Sequence, residues 1–176
     1  MEKKENQRTR LTKKMLKDAL IDILQTSNFQ SLTITEICNK AEINRTTFYK
    51  YYSNERNLYD EIESDFLNML RSNLENTNER SLEMLLTHIA ENAKVAGVLF
   101  NNSVDGNFAQ RVFSLPEVAN NMNFKRITND PNKNKLMSFI FNGGYAIIKE
   151  WINSGIPDPP KELTRFISTM VEKLLK

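Results

Sequence analysis

Cysteine, histidine and tryptophan occur once each in this chain of 176 residues, as Cys38, His88 and Trp151. A single cysteine forms no intrachain disulfide, which favours a reducing compartment. A single histidine with no cysteine near it does not build a metal site, so neither a metal nor a cofactor is expected. No nucleophile and base are suggested by spacing. No Gly-rich phosphate loop occurs either, because Gly143 and Gly144 sit inside an apolar helical pattern. The chain is therefore not expected to be an enzyme. Glycine and proline number five each, which disfavours an all-β fold. No stretch reaches the roughly 18 apolar residues of a membrane span. Met-Glu-Lys-Lys-Glu-Asn at the start lacks the apolar core of a signal peptide. The expectation is a cytoplasmic protein with no membrane partner.

Hydrophobic residues make up 40% of the chain, enough for a globular core. The net charge of +2 is unevenly spread. Residues 1–52 carry ten Lys or Arg against six Asp or Glu, and the remainder carries fourteen against sixteen. A basic first third fits nucleic-acid binding at one end, or a solvated basic tail. Lys3, Lys4, Arg8, Arg10, Lys13 and Lys14 could follow a DNA backbone or form a solubilising arm. The periodicity predicts helices over 11–27, 54–76, 81–101, 108–114, 117–124, 133–153 and 160–175, with polar breaks between them. Thr12 is a candidate cap for the first of these, and Leu16, Ala19, Leu20, Ile23 and Leu24 form its apolar stripe. With no strand pattern, the fold class is all-α.

Residues 32–58 hold the most specific pattern. Thr33 and Glu36 make a Thr-x-x-Glu capping box, with Leu32 and Ile37 as its hydrophobic staple. Asn44 caps a second short helix, with Ile43 and Phe48 as its staple. Ala41, Glu42 and Ile43 form a turn of helix-turn-helix length between them. The second helix displays Arg45, Thr46, Thr47, Tyr49 and Lys50, a hydrogen-bonding surface with little carboxylate.

This stretch resembles the DNA-binding region of the TetR family of bacterial transcriptional regulators. Thr33, Ile37, Ala41, Ile43, Asn44, Thr47, Phe48, Tyr49, Tyr51 and Leu58 fall in register with the family pattern. Three residues depart from it. Glu42 stands where the family has Gly, Tyr52 where it has Phe, and Glu55 where it has a phosphate-facing Lys. Arg56 is placed to compensate for Glu55. The resemblance implies a three-helix DNA-binding domain at 1–54 and a helical bundle at 55–176 that binds ligand and dimerises. It implies DNA contacts from Thr33, Thr35, Asn44, Arg45, Thr46, Thr47, Tyr49, Lys50 and Tyr51. The partners implied are a double-stranded, roughly palindromic operator, a second copy of the chain and a small-molecule effector. The resemblance suggests a repressor, with the sign of regulation left open.

Residues 141–157, with their Gly-Gly and Trp-Ile-x-x-Gly pattern, resemble a Gram-positive TetR subgroup that includes the dihydroxyacetone-utilisation activator. That resemblance implies a four-helix dimer interface from the last two helices, with Leu136, Ile140, Gly143, Gly144, Ile147, Trp151, Phe166 and Met170 in it. Phe66, Met69, Leu85, Phe100, Phe108, Phe113 and Phe139 read as core by spacing, and the resemblance makes them candidates for a ligand pocket. A second reading, motivated by Glu42, Glu55 and the C-terminal resemblance, keeps the fold but makes the chain a protein-binding coactivator with weak or no DNA binding.

Overall fold

The computed structural model describes residues 7–74, 81–104, 106–115, 118 and 131–174. Lys3, Lys4, the break at 76–80 and nearly all of the helix expected at 117–124 lie outside the described residues. The protein is all-α. Its helices are α1 (Gln7–Leu24), α2 (Ile34–Ala41), α3 (Arg45–Tyr51), α4 (Glu55–Leu74), α5 (Ser81–Glu91), α6 (Ala93–Asn101), α7 (Phe108–Phe113), α8 (Lys133–Asn153) and α9 (Pro160–Leu174). The chain forms two compact units, residues 1–66 and 67–176. The division falls inside α4, further along than the expected 54/55 boundary. The first turns of α4 bury Leu58, Tyr59 and Ile62 within the first unit, which explains the shift.

In the first unit α1 packs on α2, and α2 on α3. α1 begins earlier than its periodicity suggests. Thr12 is therefore no cap but an interior residue, whose hydroxyl donates to the Arg8 carbonyl at 2.9 Å. Its buried face is Leu16, Ala19, Leu20, Ile21 and Leu24, so Ile21 takes the place expected of Ile23. Phe29 meets Tyr59 edge-on at 5.2 Å, closing the core from the short 3-10 turn Phe29–Ser31. Asn54 caps α4, its side-chain oxygen accepting from the Asn57 N–H at 2.9 Å. Lys17 bridges to Glu61 and to Asp65, each at 2.6 Å, and Lys13 adds a longer bridge to Glu61 at 3.4 Å.

In the second unit α5 packs on α6 and α9, while α6 and α7 pack on α8. The helix expected over 81–101 is divided at Asn92, which leaves helical geometry at ψ 33°. The Asn92 side-chain amide donates to the His88 carbonyl at 2.9 Å, and its backbone N–H reaches the same carbonyl at 3.1 Å. Leu85, Ile89, Leu99, Phe100, Phe108, Phe113, Ile148 and Trp151 form the core. Asn101 and Asn153 exchange amide hydrogen bonds at 2.8 and 3.2 Å, tying the ends of α6 and α8.

Candidate nucleic-acid interface and apolar helical face

Local chemistry sets the geometry of the helix-turn-helix. The Thr33 hydroxyl accepts from the Glu36 N–H at 3.2 Å, and Glu36 accepts from both the Thr33 N–H (2.9 Å) and its hydroxyl (2.7 Å). Both donors of Thr33 are thus engaged by Glu36, and its part is to start α2 in the right place. At the other end Glu42 takes the left-handed conformation, φ 55° and ψ 37°. The Ile43 N–H then reaches the Cys38 carbonyl at 2.9 Å and the Glu42 N–H the Asn39 carbonyl at 3.3 Å. That is the double hydrogen-bond closure of a helix usually made with glycine, here built on glutamate. Asn44 restarts the chain as α3, accepting from the Thr47 N–H at 2.8 Å.

Phe48 is fully buried and anchors α3 in the core. The opposite face shows Arg45, Thr46, Tyr49 and Lys50 to solvent, with Thr47 and Tyr51 half-buried beside them. Thr35 lies exposed on α2. Arg45 donates to the Tyr49 hydroxyl at 3.2 Å, and its guanidinium carbon is 5.9 Å from that ring's centre. The hydrogen bond to Tyr49 raises the guanidinium pKa further above its ordinary value. Lys50 lies over the Tyr51 ring at 5.7 Å, and Lys13 over the Tyr52 ring at 5.8 Å. Glu55 opens α4 at the positive end of its dipole. Arg56 is held by Asp60 at 2.6 Å, four residues on, so its charge is largely answered within α4. The ion cluster that joins α1 to α4 was not legible in the sequence, because Lys17 and Asp65 stand 48 residues apart.

The second feature is the outer face of α8 and α9. Phe139 is 63% exposed and Phe166 49%. Leu136, Gly143 and Ile147 share the Phe139 side of α8 at partial exposure, and Met170 shares the Phe166 side of α9. A Cβ added to Gly143 would meet nothing within 4 Å. Three of the eight residues expected on this face turn inward instead. Ile140 and Trp151 are buried, and a Cβ on Gly144 would press on the Phe113 ring at 3.3 Å. Trp151 also donates its indole N–H to the Asp158 carbonyl at 2.9 Å, which fixes the turn between the two helices. An open groove of about 660 Å³ runs between them, lined in part by Ala146, Ile147, Leu163 and Phe166 with Glu150 and Glu162 on its rim.

Of the seven pocket candidates, Phe66, Leu85, Phe100, Phe108 and Phe113 are buried and Met69 is half-buried, while Phe139 stands apart on the outer face. Phe100 packs edge-on against Phe108 at 5.2 Å and stacks on Tyr145 at 5.4 Å. Tyr145 was not among the candidates. Its hydroxyl donates to the Phe100 carbonyl, and burial pushes its phenol pKa up. Among the described residues no helix is long and apolar enough to cross a membrane.

Residues 76–173, more than half of the chain, match the TetR-type family model described as the transcriptional regulator C-terminal region. Over 84 residues the chain is 30% identical to the HTH-type dhaKLM operon transcriptional activator DhaS of Lactococcus lactis subsp. lactis (strain IL1403). That match takes in 47% of this chain and 45% of the relative, so it spans less than half of the relative's length. The TetR transcriptional regulator from Streptococcus agalactiae 2603V has a similar solved structure, with a TM-score of 0.72 at 23% identity over 92% of this chain and 94% of that one. The dihydroxyacetone kinase operon activator DhaS follows with 0.55 at 21% identity, over 93% and 96%. At these identities the two structures share the fold with this chain.

Proposed function

Because the chain belongs to the TetR family of transcriptional regulators, we propose that it binds a roughly palindromic operator as a homodimer and releases or grips it in response to a small-molecule effector. One α3 from each subunit reads one half-site in the major groove. The observation that carries this reading is the α3 surface: Arg45, Thr46, Tyr49 and Lys50 project together from a helix whose opposite side, Phe48, is locked in the core. Arg45 has the fork for a guanine edge, and Lys50 has the point charge for a phosphate. The second unit supplies the dimer face through the outer sides of α8 and α9. It also supplies the effector site, for which the aromatic cluster of Phe100, Phe108 and Phe113 is the best-supported wall. The effector would favour one spacing of the two reading heads, a coupling typically worth about 1–3 kcal/mol. The relative DhaS, found both by sequence and by structure, is named as an operon activator. The same geometry serves activation or repression, since the sign depends on where the operator lies relative to the promoter.

A gel shift with genomic duplex fragments across a salt series tests this reading. Sequence-selective, salt-dependent retardation supports it. Absence of any shift at low salt overturns it in favour of the coactivator reading, which Glu55 and the Arg56–Asp60 pair favour by weakening the positive field at the start of α4.

A further inference from the structure

Arg45 and Tyr49 lie one helical turn apart, a spacing that brings their side chains together on one face. The Tyr49 ring stands edge-on to Phe48 at 5.7 Å and an interplanar angle of 89°. Phe48 is fully buried, so although Tyr49 is 49% exposed its ring leans on a fixed neighbour. The Tyr49 hydroxyl accepts from one terminal nitrogen of Arg45, and the guanidinium leans over the same ring. An exposed arginine with four rotatable side-chain bonds otherwise samples many directions, and ordering it on a base edge opposes binding. Tyr49 removes much of that freedom beforehand. It does so without consuming the fork, because a guanidinium has five N–H donors and a guanine edge needs only two. Lys50 over Tyr51 gains no such direction, because an ammonium is a point charge with rotatable donors.

We infer that Tyr49 is a positioning residue for Arg45, holding its guanidinium in the direction from which it reads one base pair of the half-site. This inference rests on the assignment of α3 as the reading helix. It differs from a role for Tyr49 as a donor to phosphate, in which loss of the hydroxyl would weaken binding to every sequence alike.

The test is a selection from a randomised duplex pool by the full chain and by the Arg45→Ala, Tyr49→Phe and double variants. Phenylalanine keeps the ring against Phe48 and removes only the hydroxyl, and circular dichroism verifies that each variant is folded. The expected result is that Tyr49→Phe loses about tenfold of base preference at the same operator position at which Arg45→Ala loses it. Tyr49→Phe should add little further loss in the double variant, and its loss on unselected duplex should be much smaller than its loss on the preferred site. Retained preference in Tyr49→Phe overturns the inference. So does a uniform loss across sequences that adds to the effect of Arg45→Ala, which would make Tyr49 a phosphate contact instead. A wild-type protein that enriches no sequence overturns the reading-helix assignment and the positioning role together, so the two failures are told apart.

Discussion

Glu42 and Glu55 are two of the residues at which this chain departs from the TetR pattern. Glu42 carries a side chain at φ 55°, where an L-residue costs on the order of 1–2 kcal/mol. Glycine avoids that cost but gives up roughly 0.5–1 kcal/mol in unfolded-chain freedom. Glu42 is exposed, so no burial is lost on replacing it. Glu42→Gly should therefore stabilise the protein by roughly 0.5–1 kcal/mol, read as a rise of about 2–4 °C in Tm for each kcal/mol. A fall in Tm would show that the Glu42 side chain makes a stabilising contact. Glu55 is a different case. It sits in the first turn of α4, where a carboxylate gains about 0.3–1 kcal/mol from the helix dipole. Glu55→Lys gives up that gain and places a cation where the family pattern has one. Tm should drop slightly, while affinity for any duplex rises and the salt dependence steepens by roughly one unit of log affinity per log salt. Binding that is unchanged or weaker would show that Glu55 does not face DNA.

The short elements were the most legible because their determinants are local. Thr33 and Glu36, or Asn44 and Thr47, act across three residues, and the structure has both caps. The α8 span follows from one unbroken apolar period ended by Gly155 at φ 80°. What the sequence does not carry is distance across the chain. Apolar spacing also does not register the backbone angle at Asn92 that divides α5 from α6. Likewise, the angle of Gly144 on α8 was readable, but its neighbour Phe113 was not. The α1–α4 cluster belongs to the same hidden class and has a pH signature. Burial alone would raise the Glu61 pKa. The hydrogen bonds and charges of Lys17 and Lys13, with Tyr52, outweigh it and hold the carboxyl below its ordinary 4.5. A depressed carboxyl pKa contributes stability that is present above 4.5 and lost as pH falls through the folded value. Lys17 works from the other side. Burial lowers its pKa, Asp65 and Glu61 raise it more, and its contribution is complete below 10.5 and fades as pH rises through the folded value. Glu61→Gln should be less stable than the wild type at neutral pH, and the gap should narrow as pH drops below 4.5. Denaturant unfolding across that range checks it. A gap that stays constant into acid would mean that packing of the side chain, not its charge, ties α1 to α4.

In the proposed function, assembly of two copies would join the elements into a regulator. α8 has two apolar sides with different neighbours. Gly144, Ile148 and Trp151 face the interior of their own unit, whereas Phe139 and Gly143 face outward. With Phe166 and Met170 of α9, the outward side forms a surface that a second copy would cover by two-fold symmetry, so each substitution on it acts twice. In the proposed dimer, the separation of the two copies of α3 would set the half-site spacing of the operator. Gly143→Arg should split the dimer with the subunit still helical. Gly144→Arg drives a long side chain toward Phe113 and should instead disrupt the subunit's own packing, with a loss of helix content on mild heating. Sedimentation velocity at micromolar concentration, with and without a duplex selected by the protein, is the most direct measurement of the whole scheme. The account predicts a wild-type dimer that binds the duplex at two subunits per site, and a Gly143→Arg monomer that is helical and leaves the same duplex unbound at moderate salt. A wild-type monomer at that concentration, or a Gly143→Arg variant that still binds as a dimer, would contradict it.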